Sequence, residues 1–321
     1  MTKRMANDNS WTKALPLLLL LLLAGCTERE EEAPVPVRLT AQSTALSAES
    51  PGRAAGVISP GGAFSPTFIA SMTAGDFAAA AWSDDARVGT DGAVTFADKH
   101  YYPANGGRVY LVGVHPHAAP TEGSVTYTLD GNTDVMYAAP LYGSKWDSNR
   151  FAGNTQSGYD KPFVFTHLLT QLQVTAKKAA AGGLPFHITG ITVKGINSTL
   201  SVVLAEGTPA FSNPADVEIP EEAIHKNTEI TGGETGPVSI ANLLLPPSEA
   251  GTFTFDIETS AGTFRDVAVS LDNKESDEGS KGFQAGYAHQ VILTIHDSEL
   301  GVTVSIAQWE PATGGDIDLV E

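Results

Sequence analysis

Apolar and polar residues alternate one by one along this chain in short runs, and run after run is closed by Gly, Pro, Asn or Asp. A period of two places successive side chains on opposite faces of an extended strand, whereas a helix needs apolar residues three and four apart. The pattern begins with Val35, Val37 and Leu39 set against Pro36, Arg38 and Thr40, where Pro36 marks an edge strand. It continues through Val94 and Phe96, Val109 to Val114, Val125 to Leu129, Ile188 to Val193, Leu200 to Leu204, Phe253 to Ile257, Val267 to Val269 and Val291 to Ile295. So many short strands joined by turns predict an all-β chain built of sandwiches, not parallel sheets with crossover helices. The 32 glycines and 19 prolines fit the same reading, since they are spread without a collagen-like period.

Residues 33–321 leave room for about two domains. Apolar alternation is lost between 143 and 162, where Gly, Ser, Asn and Asp dominate, so the boundary is expected there: one domain over 35–160 and a second over 161–321. The second would open on the run Phe163 to Val174, with a bulge or half-turn at Leu168-Leu169. Residues 43–63, rich in Ser, Ala, Gly and Pro, read as a loop open to proteolysis, with Arg53 exposed in it.

The first thirty residues address the chain for export. Lys3, Arg4 and Lys13 precede an apolar run from Leu15 to Leu23, broken only by Pro16, and then Ala24, Gly25 and Cys26: the order of a secretory signal over residues 1–25. That run is too short to span a bilayer. Leu23-Ala24-Gly25-Cys26 resembles the lipobox of bacterial lipoproteins, which implies cleavage before Cys26, acylation of its thiol and a lipid anchor in the outer membrane. Cys26 is the single cysteine, so no disulfide framework and no cysteine metal cluster is available. Thr27 to Glu32 are too charged to bury themselves, and residues 26–34 read as an acidic tether. The acidic cluster is similar to the signal that sends Bacteroidetes lipoproteins to the outer face.

Charge excludes some partners. With 37 acidic against 19 basic residues the net charge is −18, which repels nucleic acid phosphates and anionic lipid head groups alike. Nucleic acid is therefore not an expected partner, and membrane attachment falls to the lipid.

Catalytic constellations are missing: there is no H-E-x-x-H, no G-x-S-x-G, no P-loop and no dinucleotide glycine pattern after a strand. The expectation is a non-enzymatic chain with no catalytic residues, metal or cofactor. His115 and His117, on either side of Pro116, read as a solvated loop pair, since zinc needs three or four ligands. Asp130, Asn132 and Asp134 have calcium-loop spacing, but Val135 stands where the loop needs glycine and Leu141 where it needs Glu, so they read as a turn. His167, beside Phe165 and Leu168, reads as a hydrogen-bonded core histidine, and Asn197-Ser198-Thr199 as a turn, although it fits a glycosylation sequon.

Three groups of segments resemble the fimbrillin family of Bacteroidetes. They are Tyr101-Tyr102-Pro103 with Val109 to Val114; Asp134 to Ala138 with Phe163 to Leu172; and Gly286-Tyr287 through Ile295, ending in Ser305-Ile306-Ala307-Gln308-Trp309. Tyr101, Phe163, Phe165 and Trp309 are the expected core anchors.

The resemblance implies two transthyretin-like β-sandwiches in tandem and assembly into a pilus. Relatives are lipoproteins trimmed by a trypsin-like protease in the loop after the first strand, and they polymerise when another subunit's strand fills the vacated groove. Carried onto this chain, the displaced strand holds Val35, Val37 and Leu39, and the best trimming site is Arg53, ahead of Arg38 inside the strand. The donor segment is C-terminal: Val302, Val304 and Ile306, then Ile317 and Leu319. The same tail fits equally well as the last strand pair of its own domain. The implied partners are other pilin subunits, the trypsin-like maturation protease and the outer membrane. The alternative is a monomeric surface lipoprotein that takes host protein or glycan ligands through loops 115–122 and 143–162.

Overall fold

The structure, a computed structural model, describes residues 33–44, 58–156, 158–179, 185–230, 236–270, 282–295 and, as backbone, 300–307. It is the all-β chain that the alternation predicts: among the described residues the only helical pieces are two 3-10 turns, Asp147–Asn149 and Glu221–Ala223.

The first half supplies β1 (Ala41–Ser43), β2 (Thr67–Ser71), β3 (Trp82–Val88), β4 (Val94–Phe96), β5 (Val109–His115), β6 (Ser124–Thr128) and β7 (Met136–Gly143). The second supplies β8 (Phe163–His167), β9 (Thr170–Lys178), β10 (Ile188–Val203), β11 (Pro209–Glu218), β12 (Val238–Leu245), β13 (Thr252–Thr259), β14 (Gly262–Ser270), β15 (Ala288–Ile295) and β16 (Leu300–Ala307).

Seven strands make one sheet in the order β1-β8-β7-β5-β2-β3-β4, antiparallel except where β1 runs parallel to β8. Its centre is covered on both faces, so all five residues of β2 are buried. Phe68, Leu111, Met136, Phe163 and Phe165 pack on one side, and Ile69, Val112, Val114 and Tyr137 on the other. Gly113 makes room on the first side: a Cβ there would lie 2.5 Å from Phe165 Cζ.

The second half builds a sandwich. A sheet in the order β11-β10-β13-β14 faces one in the order β12-β9-β15-β16, with β15 parallel to β9 and the other neighbours antiparallel. Ile191, Val193, Phe255 and Ile257 of the first sheet share a core with Leu172, Val174, Leu243 and Leu293 of the second.

Strands cross residue 160 in both directions. β8, which follows it, pairs with β7 and β1, whereas β6, which precedes it, pairs with Thr199 to Val203 of β10. Val125 and Tyr127 of β6 and Leu200 and Val202 of β10 then cover the second face of the seven-stranded sheet. Leu168 and Leu169, expected to bulge, are the step between β8 and β9, where the chain leaves one sheet for the other. Both side chains are buried in that shared layer.

Two expectations are corrected. Tyr101 is not a core anchor: it is 46% exposed, and its neighbour Tyr102 is buried instead. Alternation allows only one of two adjacent residues to face inward, and Tyr102 is the one whose hydroxyl accepts the Phe151 N–H, at 2.9 Å. Asn197-Ser198-Thr199 is not a turn but the middle of β10, in register with β11. A shift between Val193 and Ile196, with Gly195 at φ +60°, absorbs the irregularity inside the strand. Phe163 and Phe165 are buried as expected, while Trp309 lies outside the described residues.

Candidate assembly site

The leading ribbon, residues 35–44, contains the residues expected from the sequence to form a displaced strand. Its parity follows the sequence: Val37, Leu39, Ala41 and Ser43 are buried and Pro36, Arg38 and Gln42 exposed, with Val35 half-buried. Inside, these residues close the cluster that holds Phe64, Phe68, Phe151, Phe163 and Phe165.

Its ladder differs from the expected strand Val35 to Thr40. Residues 35–40 touch the segment 92–102 only through bridges at Pro36–Tyr101 and Thr40–Ala93, and the paired strand β1 begins at Ala41. On that flank Val37 N donates to His100 O at 2.8 Å, Tyr102 N to Val35 O at 3.0 Å, Val94 N to Leu39 O at 3.2 Å and Ala41 N to Gly92 O at 2.9 Å. On the other flank Phe163 N donates to Thr40 O and Thr44 N to Phe165 O, each at 2.8 Å. The ribbon thus changes partners along its length, and only at Thr40 and Ala41 is it bonded on both sides. Two small features admit it: Gly92, with φ +76°, lets its carbonyl reach Ala41, and Gly153 leaves space for the Arg38 stem.

The flank at 92–102 is rigid for reasons the alternation did not reveal. His100 stacks on Trp82 at 3.8 Å between centroids, meets Phe96 edge-on and bonds Asp84 at 2.8 Å. A backbone carbonyl on a residue held this way is a fixed acceptor for the ribbon.

Both ends of the loop that follows the ribbon are tied. Ser43 Oγ donates to Ser59 O at 3.1 Å, and Ile58 N donates to Asp134 Oδ2 at 3.1 Å. Asp134 is buried and its other oxygen pairs with His167 Nδ1 at 2.9 Å, so the core histidine expected from sequence also fixes the downstream end of this loop. Asp130 makes the expected turn, accepting from Asn132 N at 2.8 Å and Thr133 N at 2.7 Å. His115 bonds Ser65 O at 2.9 Å and His117 lies 3.3 Å from Asp85, so the two take separate partners.

The C-terminal residues divide. Val302, Val304 and Ile306 lie on β16, the edge strand paired with β15 in register from Leu300 to Ala307. Cys26, Arg53, Ile317 and Leu319 lie outside the described residues. Among the described residues no helix is long and apolar enough to cross a membrane.

A family model described as fimbrillin-like matches residues 69–309. The chain belongs to the fimbrillin-like family. A candidate fimbrium subunit of Bacteroides uniformis, Fim1C, is 22% identical to this fimbrillin-like chain, over 93% of it and 95% of the relative. Two crystal structures of candidate cell adhesion proteins share the fold. The one from Bacteroides uniformis has a TM-score of 0.52 at 18% identity and covers 85% of this chain and 99% of its own. The one from Bacteroides ovatus has a TM-score of 0.54 at 12% identity and covers 87% and 99%.

Proposed function

We propose that this fimbrillin-like chain is a non-enzymatic subunit of a surface fimbrium, joined to its neighbours by strand exchange at the ribbon 35–44. The fimbrium subunit among its relatives and the family itself support the coarse reading. The observation that carries the finer one is the ribbon's position: its Val37, Leu39 and Ala41 plug an aromatic core, while its backbone bonds the segment 92–102 along its first half and β8 along its second. Removing it would leave unpaired N–H and C=O groups beside an apolar slot, a state that any strand of matching alternation relieves.

In this reading a trypsin-like protease cuts after Arg53, and Cys26 carries the lipid that holds the uncut chain at the outer membrane. Ile58, bonded to buried Asp134, keeps the downstream end of the cut loop on the body while the ribbon leaves. Donating Val302, Val304 and Ile306 would require β16 to peel from β15, so Ile317 and Leu319 are assigned the first contacts and β16 the connection to the body. Burial of each large apolar side chain contributes about 1.5 to 3 kcal/mol before ordering costs, enough over several residues for a long-lived joint.

The test is digestion of the purified chain with a trypsin-like protease, followed by N-terminal sequencing and gel electrophoresis. A new terminus at Ala54 with a ladder of higher species is expected. No cut between Arg38 and Phe64, or a clean cut that leaves only monomer, refutes the reading.

A further inference from the structure

The ribbon 35–44 records what its slot accepts, because each inward position is closed over the side chain it holds. Val37, Leu39, Ala41 and Ser43 are all buried, so along the ribbon the slot takes two branched aliphatic residues and then two small ones. Order matters in a close-packed core, since a side chain larger than its space must push neighbours out of place. Ala41 is 2% exposed in the cluster that holds Phe163 and Phe165, and its backbone N–H is held by Gly92 O at 2.9 Å. The Ser43 position adds a polar requirement. Its hydroxyl donates to Ser59 O at 3.1 Å, and Ser59 lies on the body side of Arg53.

The tail assigned to donation carries these sizes in the opposite order. Thr313, Gly315, Ile317 and Leu319 alternate with Gly314, Asp316 and Asp318, small before large. Entering in the ribbon's own direction, Ile317 and Leu319 at the Val37 and Leu39 positions bring Glu321 to that of Ala41, a carboxylate among phenylalanines. Moved two residues along, Leu319 itself falls on the Ala41 position and Glu321 on that of Ser43. Entering in reverse, every size agrees. Leu319 and Ile317 take the positions of Val37 and Leu39, Gly315 takes that of Ala41, and Thr313 brings a hydroxyl to Ser59 O. Glu321 then falls at the half-buried Val35 position, from which a carboxylate reaches water.

We propose, resting on the assembly reading above, that residues 313–321 of a second copy enter the slot antiparallel to the ribbon they replace. Turning a strand end for end about its inward direction keeps the same side chains inside and moves their N–H and C=O groups to the other edge. Phe163 N–H and Phe165 C=O, which here bond Thr40 and Thr44 of a parallel strand, then face an antiparallel one, the slightly more stable pairing. The edge at 92–102 changes the other way, from antiparallel bridges to parallel pairing. These backbone effects oppose each other, so the direction falls to side-chain size.

Crosslinking reads the direction. Val164 is in register with Gln42 and Tyr101 with Pro36, both are exposed, and the two places lie about 20 Å apart along the slot. In reverse entry Gly314 lies opposite Val164 and Val320 opposite Tyr101. In the ribbon's sense Gly314 or Asp316 lies opposite Tyr101, and Val320 opposite Val164. Full chains carrying Cys26→Ser and one cysteine pair are cut with the trypsin-like protease, left to assemble and oxidised, and disulfide-linked peptides are measured by mass spectrometry. Val164→Cys with Gly314→Cys, and Tyr101→Cys with Val320→Cys, should link. Tyr101→Cys with Gly314→Cys or Asp316→Cys, and Val164→Cys with Val320→Cys, should link at least about tenfold less, being outside disulfide reach. Gly315→Ala should assemble like the parent, whereas Gly315→Leu, too large for the Ala41 position, should lower polymer yield by about tenfold or more. A ladder linked through the second set of pairs, or full assembly by Gly315→Leu, overturns the direction and leaves strand exchange standing. A parent chain that is cut but forms no ladder overturns strand exchange itself, and this proposal with it.

Discussion

Shortening Leu39 to alanine tests whether the ribbon is held by its side chains in solution. Leu39 is 3% exposed and belongs to the aromatic core, whereas Gln42, three residues on, faces solvent. Truncation of a buried leucine costs about 2 to 5 kcal/mol, the spread reflecting how far the cavity collapses. The ribbon has few backbone bonds to flanking strands, so the loss should appear first as local opening, before global unfolding. Taking about 3 kcal/mol, with each 1.4 kcal/mol worth about tenfold, the opened population rises by roughly two orders of magnitude. The assay is hydrogen exchange by mass spectrometry on peptides covering residues 35–44 and, as a reference, β12. Leu39→Ala should accelerate exchange at the Val37 and Ala41 amides by about that factor, while β12 changes little. Gln42→Ala should stay within about 0.5 kcal/mol of the parent. If Leu39→Ala leaves ribbon protection unchanged, or Gln42→Ala matches its effect, the ribbon is not packed as described and the exchange reading loses its slot.

Three further outcomes follow from the packing. His289 is buried edge-on to Phe283 at 4.8 Å, its ring nitrogens have no hydrogen-bond partner among the described residues, and burial pushes its pKa down to about 4. An unfolded imidazole titrates near about 6.5, so stability is intact above that pH and falls by about 1.4 kcal/mol per unit towards the folded value, reaching about 3 kcal/mol. Urea unfolding across this window should show that slope in the parent, and a shallower one in His289→Leu. Gly113→Ala drives a methyl to 2.5 Å from Phe165 Cζ and 3.2 Å from Phe68 Cε1, and should cost about 1 to 3 kcal/mol by denaturant melt. Asp134→Ala strips a partner from His167 and from Ile58 N, costs about 3 kcal/mol and should speed proteolysis within residues 45–57 at fixed protease.

Much of the fold was legible because alternation is a local property. The parity of Val37 and Leu39, the strands Val109 to Val114 and Val125 to Leu129, and the burial of Phe163 and Phe165 all follow from which neighbours are apolar. What alternation cannot rank is two adjacent residues of the same kind, and there the reading failed: Tyr101 and Tyr102 are chemically alike, and only the hydroxyl's reach to Phe151 N selects the second. The Asn-Ser-Thr stretch misled for the opposite reason, since turn-forming residues sit inside β10, where Pro214 and Ser212 of β11 pair with Asn197 and Thr199 and hold them extended. At the candidate assembly site the ribbon was visible in sequence, but the segment 92–102 that receives it was not. Its grip depends on the stacking of His100 on Trp82, and those residues are separated by a hairpin.

The sequence by itself determined that the chain is all-β, strongly acidic and patterned with a short apolar ribbon at its start, since composition and period two are written residue by residue. Tertiary structure alone decided which strands are neighbours. Backbone hydrogen bonding is indifferent to side-chain identity, so β8 could join the sheet before residue 160 and β6 the sheet after it without leaving any mark on either sequence. The partners of the ribbon, and hence what a replacing strand would meet, were settled only by that choice.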